Sequence, residues 1–160
     1  GYYFSGDGGF KDNDDYIFIT GRVDDVINVA GHRLSTAEME EIVAYHHSVA
    51  ECAVIGINDE LKGQIPLALV VAKSGEDMEH FQLQHEVVHL VREQIGAVAS
   101  LRDVVVVNRL PKTRSGKILR KMMRSIADGE QFQVPSTIDD EAIIDEIRDV
   151  LQHDKIGCFK

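Results

Sequence analysis

Apolar positions recur in this chain with two different periods, and the changes between them mark out its elements. Continuous or alternating apolar runs over residues 50–57, 64–73 and 104–107 predict strands, the first of them buried. Shorter strands are predicted at residues 2–4 and 16–20, joined across the acidic turn Lys11-Asp-Asn-Asp-Asp15, and at 26–30, where Gly31 breaks the run. Helical spacing takes over after Ser35-Thr-Ala-Glu38. There a hydroxyl and a carboxylate three residues apart can each cap a free N–H, so a helix is expected from Thr36 to about His46, with Met39, Ile42 and Val43 on its apolar face. Val87, Val88, Val91 and Ile95 define a second helix over 79–95. Further helices are expected at about 117–127 and, after a loop over 128–137, at 139–151, the last acidic and amphipathic. From Ala37 the order is helix, strand, strand, helix, strand, helix. This predicts an α+β fold, a small mixed β-sheet flanked by helices and preceded by a hairpin.

The hairpin has no room for a core of its own. The chain of 160 residues also begins at Gly1 inside an aromatic segment, so it reads as a piece of a larger protein. The expected organisation is residues 1–23 as the end of a large upstream domain, 24–135 as a small domain, and 136–160 as an acidic helix and tail. Asp24 and Asp25 are adjacent acids that resist burial, which puts an exposed junction there. The longest apolar run, 65–72, is bounded by Gln64 and Lys73 and is far too short to span a membrane. Two distant cysteines, Cys52 and Cys158, suggest a reducing compartment rather than a disulfide framework.

Charge adds the sharpest feature. The chain carries a formal net charge of −10, yet Arg109, Lys112, Arg114, Lys117, Arg120, Lys121 and Arg124 form an interval free of acids. Such an island needs an anionic ligand or an acidic neighbouring surface. It is not the common phosphate loop, which requires a glycine where Pro111 stands and a hydroxyl residue where Ile118 stands. Several weaker constellations accompany it. Ser5-Gly-Asp7-Gly-Gly9 can bring a backbone close to a ligand, and an ionised Asp7 can accept from both hydroxyls of a ribose, though taken alone the segment is better explained as a turn after a strand. Arg22 and Arg33 offer forked cations for phosphate oxygens. His85-Glu-Val-Val-His89 matches the zinc-protease helix motif in form, but the valines fix the buried face, Arg92 follows one turn on, and no third ligand is evident, so zinc is rejected.

Order and spacing say more than any single motif. Tyr3-Phe-Ser-Gly-Asp7, Tyr16-Ile-Phe-Ile-Thr-Gly-Arg-Val-Asp-Asp25, Ile27-Asn-Val-Ala-Gly-His-Arg33, the capping box and Leu110-Pro-Lys-Thr-Arg-Ser-Gly-Lys117 follow one another along the chain. Together they resemble the C-terminal part of the AMP-forming acyl-CoA synthetases, of the acyl-adenylate-forming superfamily. The resemblance runs over nearly the whole chain and is nearest to the acetyl- and propionyl-CoA synthetase group. Asp59-Glu-Leu-Lys-Gly-Gln-Ile-Pro66 and Ile95-Gly-Ala-Val-Ala99 look more like the propionyl branch, with Ala97 where a proline is common.

The resemblance implies a ligase that activates a short carboxylic acid with ATP and Mg2+ and then forms a thioester with coenzyme A. By position, Lys117 would grip the substrate carboxylate and α-phosphate. Asp7 would hold the ribose, Arg22 would lie beside ribose and phosphates, and Arg33 would contact a phosphate. Gly31 would line the pantetheine tunnel, Arg92 would meet a CoA phosphate, and Asp24 would be the hinge about which the small domain rotates. The implied partners are the short-chain carboxylate, an upstream domain, and a lysine acyltransferase or deacylase acting on Lys117, with no membrane and no nucleic acid. The implied location is intracellular, in the mitochondrial matrix or the cytoplasm. The alternatives are a basic-patch nucleic-acid module, an inactive interaction domain, or an adenylating enzyme for a different acid. The first is weakened by the lack of aromatics between Arg109 and Arg124.

Overall fold

The apolar runs at the centre of the chain pair with each other. In a computed structural model describing residues 2, 5–22, 26–75 and 79–160, β5 (Val49–Asp59) and β6 (Gly63–Ala72) form a long antiparallel ladder from Val49↔Ala72 to Asp59↔Gly63. β7 (Asp103–Val106) lies parallel to β6, with Leu67 opposite Asp103 and Val70 opposite Val106. β3 (Val26–Val29) meets the start of β6 at Gly63 and carries β4 (His32–Ser35) on its far side. The sheet is therefore mixed, with β6 inside it and β5 at one edge.

Strand alternation sends side chains to two covered faces. Ala53, Ile55, Ile57, Ile65, Leu67, Leu69 and Val105 pack against α3 (Arg120–Asp128) and α4 (Ile143–His153). Val54, Ala68, Val70 and Val104 pack against α1 (Thr36–Ala44) and α2 (His80–Gln94). The apolar stripe of α1 is Met39 and Val43, with Ile42 at its margin. That of α2 is Val87 and Val91, joined by Leu83. The Ser35 half of the expected capping box forms, with Ser35 Oγ accepting from the Glu38 N–H at 3.3 Å. Ile138, Ile143, Ile147, Leu151 and Ile156 bring the C-terminal segment into the same core as α3.

Four boundaries differ from the sequence reading. The partner of β2 (Ile17–Arg22) is β1 (Asp7–Lys11), not residues 2–4. Tyr2 is exposed and in no strand, while Tyr3 and Phe4 lie outside the described residues. The reason is a tight closure: the Asp12 N–H donates to Tyr16 O, and Asp12 Oδ1 accepts from the N–H groups of Asp14 and Tyr16, so Ile17 meets Lys11. β4 was not expected, because His32-Arg33-Leu34-Ser35 has little apolar content and gains its order by pairing with β3. α3 begins at Arg120 rather than Lys117, since Lys112 and Ile118 form a β-bridge that keeps the chain extended. α4 begins at Ile143 rather than Asp139, because Ile138 is bridged to Thr113 and Asp140 Oδ1 accepts from the Ala142 N–H.

Leu69 is fully buried in the central strand whereas Leu61 is 96% exposed in the β5–β6 turn. Leu69→Ala should cost about 2–5 kcal/mol through lost transfer energy and a cavity. Leu61→Ala should change stability by less than about 0.5 kcal/mol. Urea unfolding followed by circular dichroism measures both, and equal costs would contradict this assignment of the core.

Candidate functional site

The Lys117 loop is a miniature hairpin built around Thr113. The Thr113 N–H donates to Lys117 O at 2.8 Å, Thr113 O accepts from the Gly116 N–H at 2.8 Å, and Thr113 Oγ1 accepts from the Lys117 N–H at 3.1 Å. A second hydroxyl, Ser115 Oγ, lies 2.9 Å from Thr113 Oγ1. Gly116 closes the turn with φ +85°, a left-handed conformation that costs an L side chain roughly 1–2 kcal/mol. The Lys117 backbone is thus held from both sides while its side chain is exposed. Sequence reasoning singled out the lysine and missed Thr113, although a threonine three residues before a turn glycine is the available signal.

The basic island divides into two kinds of cation. Arg120 binds Glu40 with two hydrogen bonds, 2.9 Å from Nε to Oε1 and 2.6 Å from Nη2 to Oε2. Lys112 Nζ is 2.6 Å from Glu51, and Arg124 Nε is 3.5 Å from Asp128. Arg109 pairs with Glu146 at 2.5 Å and Asp140 at 2.8 Å. Among the described residues no acid pairs with Arg114, Lys117 or Lys121, all three of which are exposed. The acidic neighbour surface accounts for four of the seven cations, and the turn that carries Lys117 is left electropositive.

The remaining candidates fall in two further places. Gly31 is the tip of the β3–β4 hairpin, where Ala30 and Gly31 have φ of +48° and +88°. A Cβ added at Gly31 would meet nothing within 4 Å, so its dihedral and not packing within this chain demands glycine. The Ala30 N–H donates to Lys62 O at 2.9 Å, and Lys62 Nζ reaches Ser100 Oγ at 3.0 Å. Lys62 and Ser100 line a cavity of about 440 Å³ together with Arg92 and Arg102. The Gly31 turn and Arg92 are thereby connected through one lysine. Arg33 is exposed on β4, opposite Asn28.

Asp7 and Arg22 are register partners across the β1–β2 hairpin. Asp24 lies outside the described residues. His85 and His89 are exposed, and the Glu86 carboxylate is taken by Gln82 and by His46 Nε2 at 2.9 Å. Those bonds, Gln82 first, hold Glu86 below the usual carboxylate range. Burial, reinforced by the Glu40 charge, pushes the Cys52 thiol up to about 11, which keeps it protonated and unreactive.

The Arg109 cluster gives a pH dependence. Its hydrogen bond holds Glu146 below the ordinary carboxylate value, and Asp140 is held down first by the Ala142 N–H and then by Arg109. Both groups have lowered folded pKa values, so their stabilisation is present above the unfolded value near ~4 and is lost as pH falls through the folded one. Arg109→Met should therefore lower Tm most between about pH 5 and 8. The gap to wild type should narrow toward pH 3. Thermal scans across this range test it, and a gap that widens on acidification would contradict the assigned pairing.

Comparison with known proteins places this geometry in a family. Residues 38–117 match the model described as "AMP-binding enzyme C-terminal domain". The chain is 62% identical over 157 residues to an uncharacterised protein of Pseudomonas aeruginosa, covering 98% of this chain and 25% of that protein. It is 50% identical to the mitochondrial acyl-CoA synthetase short-chain family member B of Dictyostelium discoideum, covering 92% and 21%. It is also 50% identical to the acetyl-coenzyme A synthetase of Penicillium chrysogenum, covering 92% and 22%. Among solved structures, a Brucella canis acyl-CoA synthetase superposes with TM-score 0.60 at 35% identity, covering 76% of this chain and 22% of that one. ATP-bound MatB from Rhodopseudomonas palustris gives 0.63 at 27%, covering 78% and 24%. The chain spans about a fifth to a quarter of the relatives it matches. With its Lys117 hairpin set on a helix-flanked mixed sheet, the chain belongs to the AMP-binding enzyme C-terminal domain family.

Proposed function

We propose that this chain is the lysine-bearing domain of an AMP-forming short-chain acyl-CoA synthetase, acting on propionate in preference to acetate. The observation that carries the reading is Lys117: an exposed cation, unpaired among the described residues, on a main-chain-clamped turn in a domain of this family. In the first half-reaction a carboxylate oxygen attacks the α-phosphorus of ATP, and the bond to the β-phosphate oxygen breaks. Two anions must approach in line, and an ammonium fixed between them offsets their repulsion and stabilises the charge that develops. Magnesium would neutralise the β- and γ-phosphates of the nucleotide. In the second half-reaction the coenzyme A sulfur, having lost its proton, attacks the acyl carbon and AMP leaves.

The remaining roles follow the same reading. Asp7 and Arg22, register partners in one hairpin, suit a ribose and its phosphates, and Arg33 suits a phosphate of the adenylating state. Gly31 and Arg92, linked through Lys62, suit the pantetheine and phosphate of coenzyme A. Rotation about Asp24 would exchange Lys117 for Gly31 at one active centre. Phe10, Tyr16, Ile17, Phe18 and Ile19 are exposed on the β1–β2 hairpin, a surface fit for an upstream domain of the same protein. No described helix is long and apolar enough to cross a membrane, and a mitochondrial or cytoplasmic site of action is proposed with the activity. Acylation of Lys117 by a lysine acyltransferase would remove its charge and silence adenylation until a deacylase restored it.

Two variants of the full-length enzyme should separate the half-reactions in opposite senses. Lys117→Ala should lower acid-dependent pyrophosphate release by ~10²–10³ while thioester formation from preformed acyl-adenylate stays near wild type. Gly31→Leu should do the reverse, because a side chain at the turn tip would block the thiol's approach. Equal losses in both steps for either variant would refute its assigned role. Substrate choice is checked by kcat/KM for acetate, propionate and butyrate. One methylene in an apolar pocket discriminates by only about 1–3 kcal/mol, so neighbouring acids should overlap, and a clear preference for acetate would overturn the propionate assignment.

A further inference from the structure

The Lys117 hairpin has a second edge, and a segment beyond the family match occupies it. The Arg114 N–H donates to Thr137 O at 2.9 Å, and the Asp139 N–H donates to Lys112 O at 2.9 Å. Thr113 is bridged to Ile138, whose side chain is buried in the core. Residues 137–139 thus run as a third strand beside 112–113, with Lys117 and Ile118 on the opposite side. The segment is itself tied down. Arg109, just before the hairpin, reaches forward to Asp140 and, through two nitrogens, to Glu146 on α4. Matching residues end at 117, so nothing in the family match itself assigns this strap a role.

We infer that residues 137–139, clamped through Arg109 to Asp140 and Glu146, are a positioning strap that fixes the height and direction of the Lys117 turn for adenylation. The inference rests on the adenylating role proposed for Lys117. A turn hydrogen-bonded on one edge only can tilt as a unit, and a tilt at its tip displaces the ammonium more than any other group. Displacement of about 1 Å at a reacting centre is enough to cost ~10²-fold in rate. A partial loosening should cost less. The strap has no such bearing on the step that is proposed to use Gly31.

The test uses the full-length enzyme and the variants Arg109→Met, Arg109→Lys and Asp139→Pro, with pyrophosphate release, thioester formation from preformed acyl-adenylate, Tm and amide hydrogen exchange measured on each. Arg109→Met should lower adenylation roughly tenfold, a partial form of that displacement loss, and raise KM for the acid. It should leave thioester formation within about twofold and speed exchange in 112–118 but not in β5 and β6. Arg109→Lys should recover part of the loss. Asp139→Pro removes the N–H that reaches Lys112 and should act in the same direction. Losses of equal size in both half-reactions would reduce the strap to a general stabiliser and overturn the inference. So would faster exchange in 112–118 with adenylation unchanged. If the wild-type enzyme forms no acyl-adenylate, the adenylating role of Lys117 fails first, and the positioning role falls with it whatever the exchange shows.

Discussion

The outer edge of β5 is the constraint that arranges the rest of this domain. An edge strand presents free N–H groups that either invite another strand or must be covered. Here carboxylates cover them. Glu40 of α1 accepts the Val54 N–H at 2.8 Å, and Asp128 of α3 accepts the Asn58 N–H at 2.8 Å. These acids come from helices on opposite faces of the sheet, so the edge becomes the line along which the two layers meet. Each acid then draws a cation from α3: Arg120 binds Glu40 in two-pronged fashion, and Arg124 approaches Asp128. One oxygen of Asp128 stays buried without a hydrogen bond, which leaves the Arg124 contact as its compensation. The first residue of α3 is thus pinned directly after the Lys117 hairpin.

That pinning explains why the hairpin can be both exposed and fixed. On its N-terminal side Lys112 reaches Glu51 at the β5 edge, and on its C-terminal side Arg120 reaches Glu40. Between these anchors Thr113 uses its N–H, its carbonyl and its hydroxyl to bind the backbone of Gly116 and Lys117. The tip therefore carries little conformational freedom to lose when a ligand arrives, which is the condition for a cation to act at a transition state rather than merely attract a substrate.

The core was legible in the sequence because its signal is local and periodic. The runs at 50–57 and 64–73 and the valine spacing at 87–91 admit little besides buried strands and an amphipathic helix, and Ser35-Thr-Ala-Glu38 announces its helix start by its own chemistry. What stayed hidden depends on partners distant in sequence. β4 is a strand because β3 lies beside it. The start of α3 slips from Lys117 to Arg120 because Ile118 is bridged to Lys112, and that of α4 slips to Ile143 because Ile138 is bridged to Thr113. At the candidate site, Lys117, Gly31 and Arg92 could be named from order and spacing. The division of the basic island into paired and unpaired cations could not, since Glu40, Glu51, Asp140 and Glu146 lie between 31 and 80 residues from their partners or in helices whose facing is set by the tertiary fold.

The same division explains how a chain of net charge −10 keeps a usable cation at all. Apart from that of Arg124 with the buried Asp128 carboxylate, each pair is partly exposed, and such pairs typically contribute no more than about 1 kcal/mol to stability, too little to account for the fold. Their effect on the local field is larger than their effect on stability. An acid left free about 4 Å from Lys117 would attract the ammonium by ~1–4 kcal/mol between bulk-water and protein-surface dielectrics, and would repel an incoming carboxylate or phosphate besides. Glu40, Glu51 and Asp128 are instead each occupied by a different member of the basic island, and Asp140 and Glu146 share Arg109. These five acids are thus neutralised by Arg109, Lys112, Arg120 and Arg124, and Lys117 is left without an acidic partner among the described residues. On this view the seven cations are one device: four set the electrostatic background, and that background determines what Lys117 can bind.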